Sequence, residues 1–266
     1  MLVFNQGGMF MKIGVVGLGL IGGSIFKDLL KFGFDVIAVS NSQNGDRIFK
    51  TYDVLKDCDI VFVCSAMNKT ISVLDELENV LTPQTIVADV CSLKSFVCKK
   101  FRPYVFIPSH PMAGTENKGF ESSFEGLFKG ATWVLTPFAT TKETDINKLK
   151  AVIEKLGAKP LTTTPQEHDE AAALISHMPM LVAQALFKAA SDNKLAMQMA
   201  SSGFRDMTRL ALSNEEMAND MINLNHKNIE TAILKLYKSI GDLTHSDYQA
   251  QITEIKNLRS KMFKIE

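Results

Sequence analysis

The tripeptide Ser109-His110-Pro111 contains the side chain best suited to acid–base chemistry in this chain. It follows the apolar run Val105–Ile107, which predicts a β-strand. A residue before proline is forced towards extended backbone, so we expect His110 at the carboxyl edge of a sheet strand, where open α/β sheets bind their ligands. A neutral imidazole at that edge could take a proton from a substrate. The alternative is a histidine that is merely packed or lies at the surface.

Ser92 and His177 are two further candidates for the same site. Ser92 follows another predicted strand, so its hydroxyl could bond an imidazole or a cofactor amide, or could simply cap a helix. His177 lies two residues before Pro179, which removes the hydrogen bond to the carbonyl of Ile175. This predicts a kinked apolar helix with a polar residue at the kink, as in the wall of a cleft. A histidine satisfied by the freed carbonyl is the alternative.

Arg205 and Arg209 are four residues apart and therefore share one face of a predicted helix. Arg209 could simply pair with Asp206. Arg205, aimed into a cleft, would suit a substrate carboxylate, which a guanidinium binds through two parallel hydrogen bonds. The chain thus offers a base and a carboxylate clamp in separate regions of the sequence.

The glycines that could position a cofactor lie near the start of the chain. A short apolar run enters a Gly-x-Gly-x-x-Gly pattern, and a helical pattern that ends at Gly33 follows. The first glycine allows a tight turn, the second lets backbone approach a pyrophosphate, and the third lets helix pack on strand. The helix N-terminus would then face the phosphates of a dinucleotide, unless this is an ordinary glycine-rich turn. The predicted loop contacts are Gly17, Gly19, Leu20, Ile21 and Gly22.

The end of the second predicted strand bears on which dinucleotide binds. An NAD site usually has an acid there to bond the ribose hydroxyls. Here Ser40 takes that position, Asn41 and Ser42 follow it, and Arg47 comes shortly after. Serine and asparagine can donate hydrogen bonds to a 2′-phosphate that a carboxylate would repel, so we expect NADP rather than NAD.

Other residues around this edge complete the cofactor prediction or leave NAD open. Asp46 or Asp35 could serve as the missing acid, and Asp46 lies beyond a flexible Gln-Asn-Gly segment. Cys64 and Ser65, at the end of the third predicted strand, are expected cofactor contacts, as is Ser92.

Short β-like runs alternate with helical patterns over residues 12–163. This rhythm predicts a mainly parallel sheet with crossover helices, that is, a Rossmann-type α/β domain. From the capping box Thr164–Glu167 onward, nearly everything reads as helix. We therefore expect a dinucleotide-binding domain at residues 1–163 and an all-helical domain at residues 164–266. The predicted strands are Ile13–Val16, Val36–Val39, Ile60–Cys64, Ile86–Ala88, Val105–Ile107, Thr132–Leu135 and Pro160–Thr163, and further capping boxes begin at Ser213 and Thr244.

The composition argues against several functional classes. The 266 residues carry 29 basic and 29 acidic side chains, and no basic stripe indicates a nucleic-acid partner. We find no apolar stretch of about 18 residues and hence expect no membrane span. The first ten residues do not read as a signal peptide. The cysteines show neither a CxxC pair nor a zinc pattern, so we expect free thiols, no metal site and a cytoplasmic protein; they are Cys58, Cys64, Cys91 and Cys98.

Five separated motifs, taken in order, resemble the prephenate and arogenate dehydrogenase family of tyrosine biosynthesis. The match runs from about Lys12 to beyond residue 220 and so covers most of the chain. The histidine motif and the GFRD motif are far more specific than the glycines. The motifs are GLGLIGGS (17–24), DVCSLK (89–94), SHPMAGTENKG (109–119), HDEAAALISHMPM (168–180) and SSGFRDMTRLA (201–211).

This resemblance implies an oxidative decarboxylation that uses NADP or NAD. Prephenate would give 4-hydroxyphenylpyruvate, or arogenate would give tyrosine, with release of CO2. By the same resemblance, His110 would deprotonate the ring hydroxyl, and Ser92 would orient His110 and touch the cofactor. Arg205 would bind a substrate carboxylate. Residues lining the substrate pocket or its mouth would be His177, Thr115 and Glu116.

The resemblance also implies an architecture. The helical domain would be of the 6-phosphogluconate dehydrogenase C-terminal type and would form a homodimer, with the active-site cleft between the two domains. The serine-based strand end resembles that of NADP-using members, many of which act on arogenate. Two other interpretations stay open, namely another oxidoreductase of this architecture, such as a hydroxyacid dehydrogenase, and a non-catalytic dinucleotide sensor.

Overall fold

The computed structural model describes residues 11–115 and 117–263. Its main sheet has six strands, all parallel to their neighbours, in the order β3-β2-β1-β4-β5-β6. The central strands are buried on both faces, as expected when helices cover a parallel sheet. The strands are β1 (Lys12–Val16), β2 (Asp35–Val39), β3 (Ile48–Phe49), β4 (Ile60–Val63), β5 (Ile86–Asp89) and β6 (Val105–Phe106).

A second sheet carries the segment that contains His110. It consists of β7 (Ser109–Pro111), β8 (Thr132–Leu135) and β9 (Lys159–Thr162), in that order. β7 runs antiparallel to β8, and His110 pairs with Val134. The predicted parallel sheet is confirmed for the first five predicted runs, whereas the runs Thr132–Leu135 and Pro160–Thr163 lie in this second sheet instead. Pro108 has no N–H for the ladder of β6, and its carbonyl instead accepts from the amide of Thr136 at 2.9 Å, beyond β8.

β3 is a strand that the sequence analysis missed. It pairs with β2 directly, since the amide of Ser40 donates to the carbonyl of Phe49 at 3.0 Å. Two residues are too few to show a period. As a result, the chain between β2 and β4 forms a short loop, a two-residue strand and a 3₁₀ turn (Tyr52–Leu55).

Three helices flank the first domain: α1 (Leu20–Lys31), α2 (Met67–Leu77) and α3 (Glu143–Lys155). The predicted end of α1 is confirmed, because Gly33 has a φ of 77° and its amide donates to the carbonyl of Leu30 at 3.0 Å. The glycine-rich excursion before β8 packs on α1. There, Asp28 accepts from the amide of Gly126 at 2.9 Å, and the amide of Phe124 donates to Ser24 at 3.1 Å.

The second half of the described chain is helical: α4 (Pro165–Ala172), a π-helical turn (Ala173–His177), α5 (Met178–Ser191), α6 (Lys194–Met199), α7 (Ser202–Thr208), α8 (Glu215–His245) and α9 (Tyr248–Phe263). The capping box at Thr164 and Glu167 is confirmed, with both hydrogen bonds present. The other two predicted caps are wrong in register. Asn214, not Ser213, caps α8, and the carboxylate of Asp247 accepts from the amide of Ala250 at the start of α9.

In the part of the chain that the structure describes, one segment, Pro165–Ser191, is long and apolar enough to cross a membrane by length and composition, with a mean hydropathy of 1.3. One such segment is weak evidence of a membrane span, because a core helix of a globular protein passes the same test. The segment nevertheless carries His168, Asp169 and His177, each at most 4% exposed. Their side chains are hydrogen-bonded within the protein, so this segment builds part of a polar site.

Candidate active site

The glycine loop between β1 and α1 has the geometry that a dinucleotide pyrophosphate requires. Gly17 has a φ of 90°, which an L side chain rarely adopts. A Cβ on Gly22 would lie 1.9 Å from the carbonyl oxygen of Gly17, so only glycine fits there. A Cβ on Gly19 would meet nothing within 4 Å, so open space lies in front of that residue. The free N–H groups of the first turn of α1 adjoin that space and could donate to phosphate oxygens. The glycine loop therefore fits a dinucleotide pyrophosphate.

Ser40 begins a tight loop at the carboxyl end of β2. Its side chain is buried, and its hydroxyl accepts from the amide of Gln43 at 3.2 Å and lies 3.5 Å from the hydroxyl of Ser42. The ammonium of Lys50 donates to the carbonyls of Ser40 at 3.0 Å, Asn41 at 3.3 Å and Gln43 at 2.7 Å. Lys50 therefore brings a positive charge to this loop, a contribution that the sequence analysis missed.

Arg47 does not lie with the serines. Its guanidinium donates to Asp35 at 2.8 Å and to the carbonyl of Val36 at 3.3 Å, both at the amino end of β2. Ser40 is at the opposite edge of the sheet. The prediction that Arg47 contacts the cofactor is therefore contradicted, because its own ion pair holds it away. The same pair excludes Asp35 as the ribose acid.

Cys64 and Ser65 follow β4 and lie against the glycine loop. The amide of Cys64 donates to the carbonyl of Val16 at 2.7 Å, and a Cβ on Gly17 would meet the Cys64 carbonyl at 2.8 Å. The hydroxyl of Ser65 lies 3.1 Å from that of Thr70. Burial raises the pKa of the Cys64 thiol far above its usual value, so this thiol is not a nucleophile. These residues can contact a cofactor through backbone and Cβ atoms.

A buried ion pair joins the main sheet to the segment that carries His110. The Lys94 ammonium pairs with Asp89, and both side chains are fully buried. Lys94 also donates to the carbonyl of Ser109 at 2.5 Å, and the amide of Ser109 donates to Asp89 at 3.0 Å. The hydroxyl of Ser109 in turn accepts from the indole of Trp133 at 3.0 Å. This network fixes β7, and with it the backbone of His110.

His110 contacts a second histidine, which contacts a carboxylate. Nδ1 of His110 lies 2.9 Å from Nε2 of His168, and Nδ1 of His168 lies 2.8 Å from Oδ1 of Asp169. Asp169 also accepts from the backbone amides of Lys94 at 2.8 Å and Ser95 at 2.9 Å. Burial, and then the nearby His168 and Lys94, lower the pKa of His110 well below 6.5. The ring is therefore neutral at neutral pH and able to accept a proton.

His177 lies in the π-helical turn before Pro179. The predicted kink takes the form of this π-helical turn, and the ring of His177 does not bond the carbonyl of Ile175. Nδ1 of His177 instead lies 3.1 Å from the amide nitrogen of Asn225, where α8 has non-helical backbone angles. Its Nε2 atom is buried and has no hydrogen-bond partner among the described residues. Burial lowers the pKa of His177 to about 4, so this ring is also neutral.

The remaining predicted residues are less tightly held. Ser92 is half-buried, and within the described ranges its hydroxyl bonds no other protein group, so the predicted hydrogen bond to His110 is absent and His168 takes that place. Arg205 is 79% exposed, with one contact of 3.4 Å to Asp206, so Asp206 contacts Arg205 rather than Arg209. Thr115 is exposed and accepts from the amide of Asn117. Glu116 lies outside the described residues.

Two family models match this chain. Residues 38–162 match the nucleotide-binding domain of prephenate dehydrogenase, and residues 164–262 match its dimerization domain. The chain belongs to the prephenate dehydrogenase family. The matched regions meet where β9 ends and α4 begins.

Relatives of the family agree in sequence and in fold. The chain is 31% identical to the prephenate dehydrogenase of Bacillus subtilis over 78% of this chain and 62% of that enzyme. It is 28% identical to the cyclohexadienyl dehydrogenase of Zymomonas mobilis, over 80% of each chain. The crystal structure of Synechocystis arogenate dehydrogenase superposes with a TM-score of 0.79 at 33% identity, over 96% of this chain and 98% of that one. The chain thus spans less than two thirds of the Bacillus enzyme.

Family motifs contained several important residues to which the sequence analysis assigned no role. Asp89 and Lys94 lie in the DVCSLK motif, and His168 and Asp169 open the histidine motif. The signal was a charged residue inside an otherwise apolar segment, which in a folded protein needs a partner. The sequence could not show which partner, because 58 residues separate His110 from His168.

Proposed function

We propose that this chain catalyses the NAD(P)-dependent oxidative decarboxylation of prephenate, arogenate or both. The observation that carries the proposal is a neutral, partly accessible imidazole held by His168 in a fold that binds NAD(P) at the glycine loop. Membership of the family supports the same conclusion. We assign residues 1–163 to the cofactor domain and residues 164–266 to the helical domain.

Each proton has a defined place in this reaction. His110 accepts the proton of the ring C4 hydroxyl as the C4 hydrogen leaves as hydride, which the nicotinamide, when bound, accepts. The ring carboxylate then departs as CO2, and its bonding electrons complete the aromatic ring. His110 returns its proton to the phenolate oxygen. The products are 4-hydroxyphenylpyruvate or tyrosine, CO2 and the reduced cofactor.

The decisive experiment is one assay of the purified chain with both substrates against both cofactors. Formation of reduced cofactor is followed by absorbance, and CO2 is measured in parallel. Turnover of either substrate supports the proposal and excludes a non-catalytic dinucleotide sensor. No turnover of either substrate, in a protein that still binds a cofactor, would reject it.

We further propose that the preferred cofactor is NADP. Ser40, Asn41 and Ser42 surround the end of β2 with donors, and Lys50 adds a positive charge, so a 2′-phosphate would be attracted there. None of these side chains is a carboxylate, the group that usually binds the ribose hydroxyls in an NAD site. Asp46 is exposed and stays an alternative partner for NAD.

Changing Ser40→Asp should lower the ratio of kcat/KM for NADP over NAD by roughly 10- to 100-fold, the range of one charged hydrogen bond lost. A carboxylate at this buried position repels a 2′-phosphate and accepts from the ribose hydroxyls. Steady-state kinetics with each cofactor measure the ratio. Arg47→Gln is the matched control, because Arg47 is paired at the other edge of the sheet. An unchanged ratio in Ser40→Asp would refute this role.

We propose that Arg205 binds a substrate carboxylate. Among residues 11–115 and 117–263, its guanidinium has one weak contact, to Asp206, and 79% of the side chain is exposed, which supports this proposal. Arg205→Ala should raise the KM of the carboxylated substrate roughly 10- to 100-fold with a smaller effect on kcat, because a charged hydrogen-bonded pair is lost. Arg209→Ala, one turn along, is the control. Equal KM values for Arg205→Ala and the unaltered chain would exclude the clamp.

We propose a homodimer formed through the helical domain and located in the cytoplasm. The match to a dimerization domain and the apolar side chains left exposed on these helices support the dimer. The four free cysteines are consistent with a reducing compartment. Exposed apolar side chains on the helices include Phe187, Leu195, Leu234, Tyr237 and Ile240.

A further inference from the structure

Asp169 accepts hydrogen bonds from the two residues that contact the active-site histidines, His168 beside His110 and Asn225 beside His177. Burial opposes its ionisation, but hydrogen bonds from His168 and Ser95, then from the Lys94 amide, outweigh it and lower the pKa of Asp169. Its side chain is therefore a carboxylate at neutral pH, which can only accept hydrogen bonds. Its backbone carbonyl can also only accept. Each group that faces Asp169 must therefore be a donor.

The carboxylate determines which nitrogen of His168 carries the proton. Nδ1 of His168 lies 2.8 Å from Oδ1 of Asp169 and must donate. In a neutral imidazole the other nitrogen, Nε2, is then an acceptor. That atom faces Nδ1 of His110 at 2.9 Å, so Nδ1 of His110 must be the donor in this contact. The lone pair of His110 is left on Nε2, which is the form a general base needs.

The backbone carbonyl of Asp169 determines the tautomer of the second ring, His177, through the side chain of Asn225. The side-chain atom of Asn225 that lies 2.9 Å from this carbonyl must be the amide nitrogen, because two oxygens could not bond. The same nitrogen lies 3.1 Å from Nδ1 of His177, which must therefore accept. His177 then carries its proton on Nε2, the atom that is buried and unpartnered among the described residues. It presents a donor where His110 presents a lone pair.

We propose that Asp169 holds the two active-site histidines in opposite tautomers, His110 through His168 and His177 through Asn225. Asp169, His168 and Asn225 are thus positioning residues. Only the use of these tautomers in catalysis rests on the proposed function. The tautomers themselves follow from contacts within the protein. A kinked α8 at Asn225, where φ is −121° and ψ is 18°, is what brings that amide between the carbonyl and the ring.

The test is the tautomer of each ring in the ligand-free protein. Long-range proton–nitrogen NMR spectra of the chain labelled with ¹⁵N-histidine, at pH 8, distinguish a protonated from a bare ring nitrogen. We expect protons on Nδ1 of His110 and His168 and on Nε2 of His177. The exposed His226 and His245, whose Nδ1 atoms face the carbonyls of Asn223 and Gly241, serve as internal references for rings outside the site. A proton on Nε2 of His110, as a positively charged His168 would impose, or on Nδ1 of His177, overturns the proposal.

Two variants separate the two branches. His168→Phe keeps a ring of similar size without an acceptor, so the His110 signals should move towards averaged values while those of His177 stay. Asn225→Leu should do the reverse. If the signals of both rings changed together in either variant, the role would be purely structural and the assignment would be overturned. The same holds if the signals of neither ring changed in the two variants. His226→Phe is the control. The expected tautomers together with no turnover of prephenate or arogenate would reject the proposed function and leave the tautomer assignment standing.

Discussion

Replacing His110 with asparagine should lower kcat by about two to four orders of magnitude, the usual contribution of a general base. Asparagine has no lone pair basic enough to take the proton of the ring hydroxyl. The glycine loop is built from β1 and α1, and His110 lies on β7, so binding of the cofactor should be preserved. Steady-state turnover with the better substrate gives kcat, and fluorescence titration with reduced cofactor gives its Kd.

The matched control for this substitution is His226→Asn, on the exposed surface of α8. It should keep both kcat and cofactor affinity. If His110→Asn retained the kcat of the unaltered chain, His110 would not be the base. If it lost cofactor binding as well, its role would be structural, and the loss of rate would say nothing about proton transfer.

The second large effect is expected on stability, from Lys94→Met. Lys94 and Asp89 are both fully buried, so removing the ammonium leaves a carboxylate without its charged partner. Breaking a buried pair in this way typically costs about 3–5 kcal/mol of unfolding free energy. Equilibrium unfolding in urea, followed by circular dichroism, measures the change.

Two further variants identify the cause of that loss. Lys94→Met combined with Asp89→Asn should recover part of the stability, because the unpaired charge is gone. Lys100→Met removes a lysine from an exposed cluster with Asp75 and should have little effect, since exposed ion pairs are weak. A single Lys94→Met variant as stable as the unaltered chain would mean that water or another group satisfies Asp89.

Local patterns were sufficient to predict the parts of the fold that depend on near neighbours. The glycine loop, the cap at Thr164 and the end of α1 at Gly33 each involve contacts within a few residues. The family resemblance added the reaction and strengthened the prediction, already made from the local sequence, that His110 is the base. For this reason the cofactor loop and His110 could be proposed before any three-dimensional information.

The errors share a different physical origin, which is competition from distant partners. Arg47 was expected at a phosphate, but Asp35, at the amino end of β2, binds it instead. Lys50 reaches the loop that begins at Ser40 because the two-residue strand before it, β3, pairs parallel to β2. No sequence period reports such contacts, because each depends on where other elements come to lie.

The contact between Asp169 and the backbone amides of Lys94 and Ser95 has a consequence for how such enzymes can be rebuilt. Asp169 is on the first helix after the cofactor domain, whereas the amides that hold it belong to that domain. The proposed base, His110, is therefore held in place by contacts between the two domains. Chimeras that exchange helical domains between relatives will keep an organised base only where helix α4 and the turn after β5 are inherited as one unit.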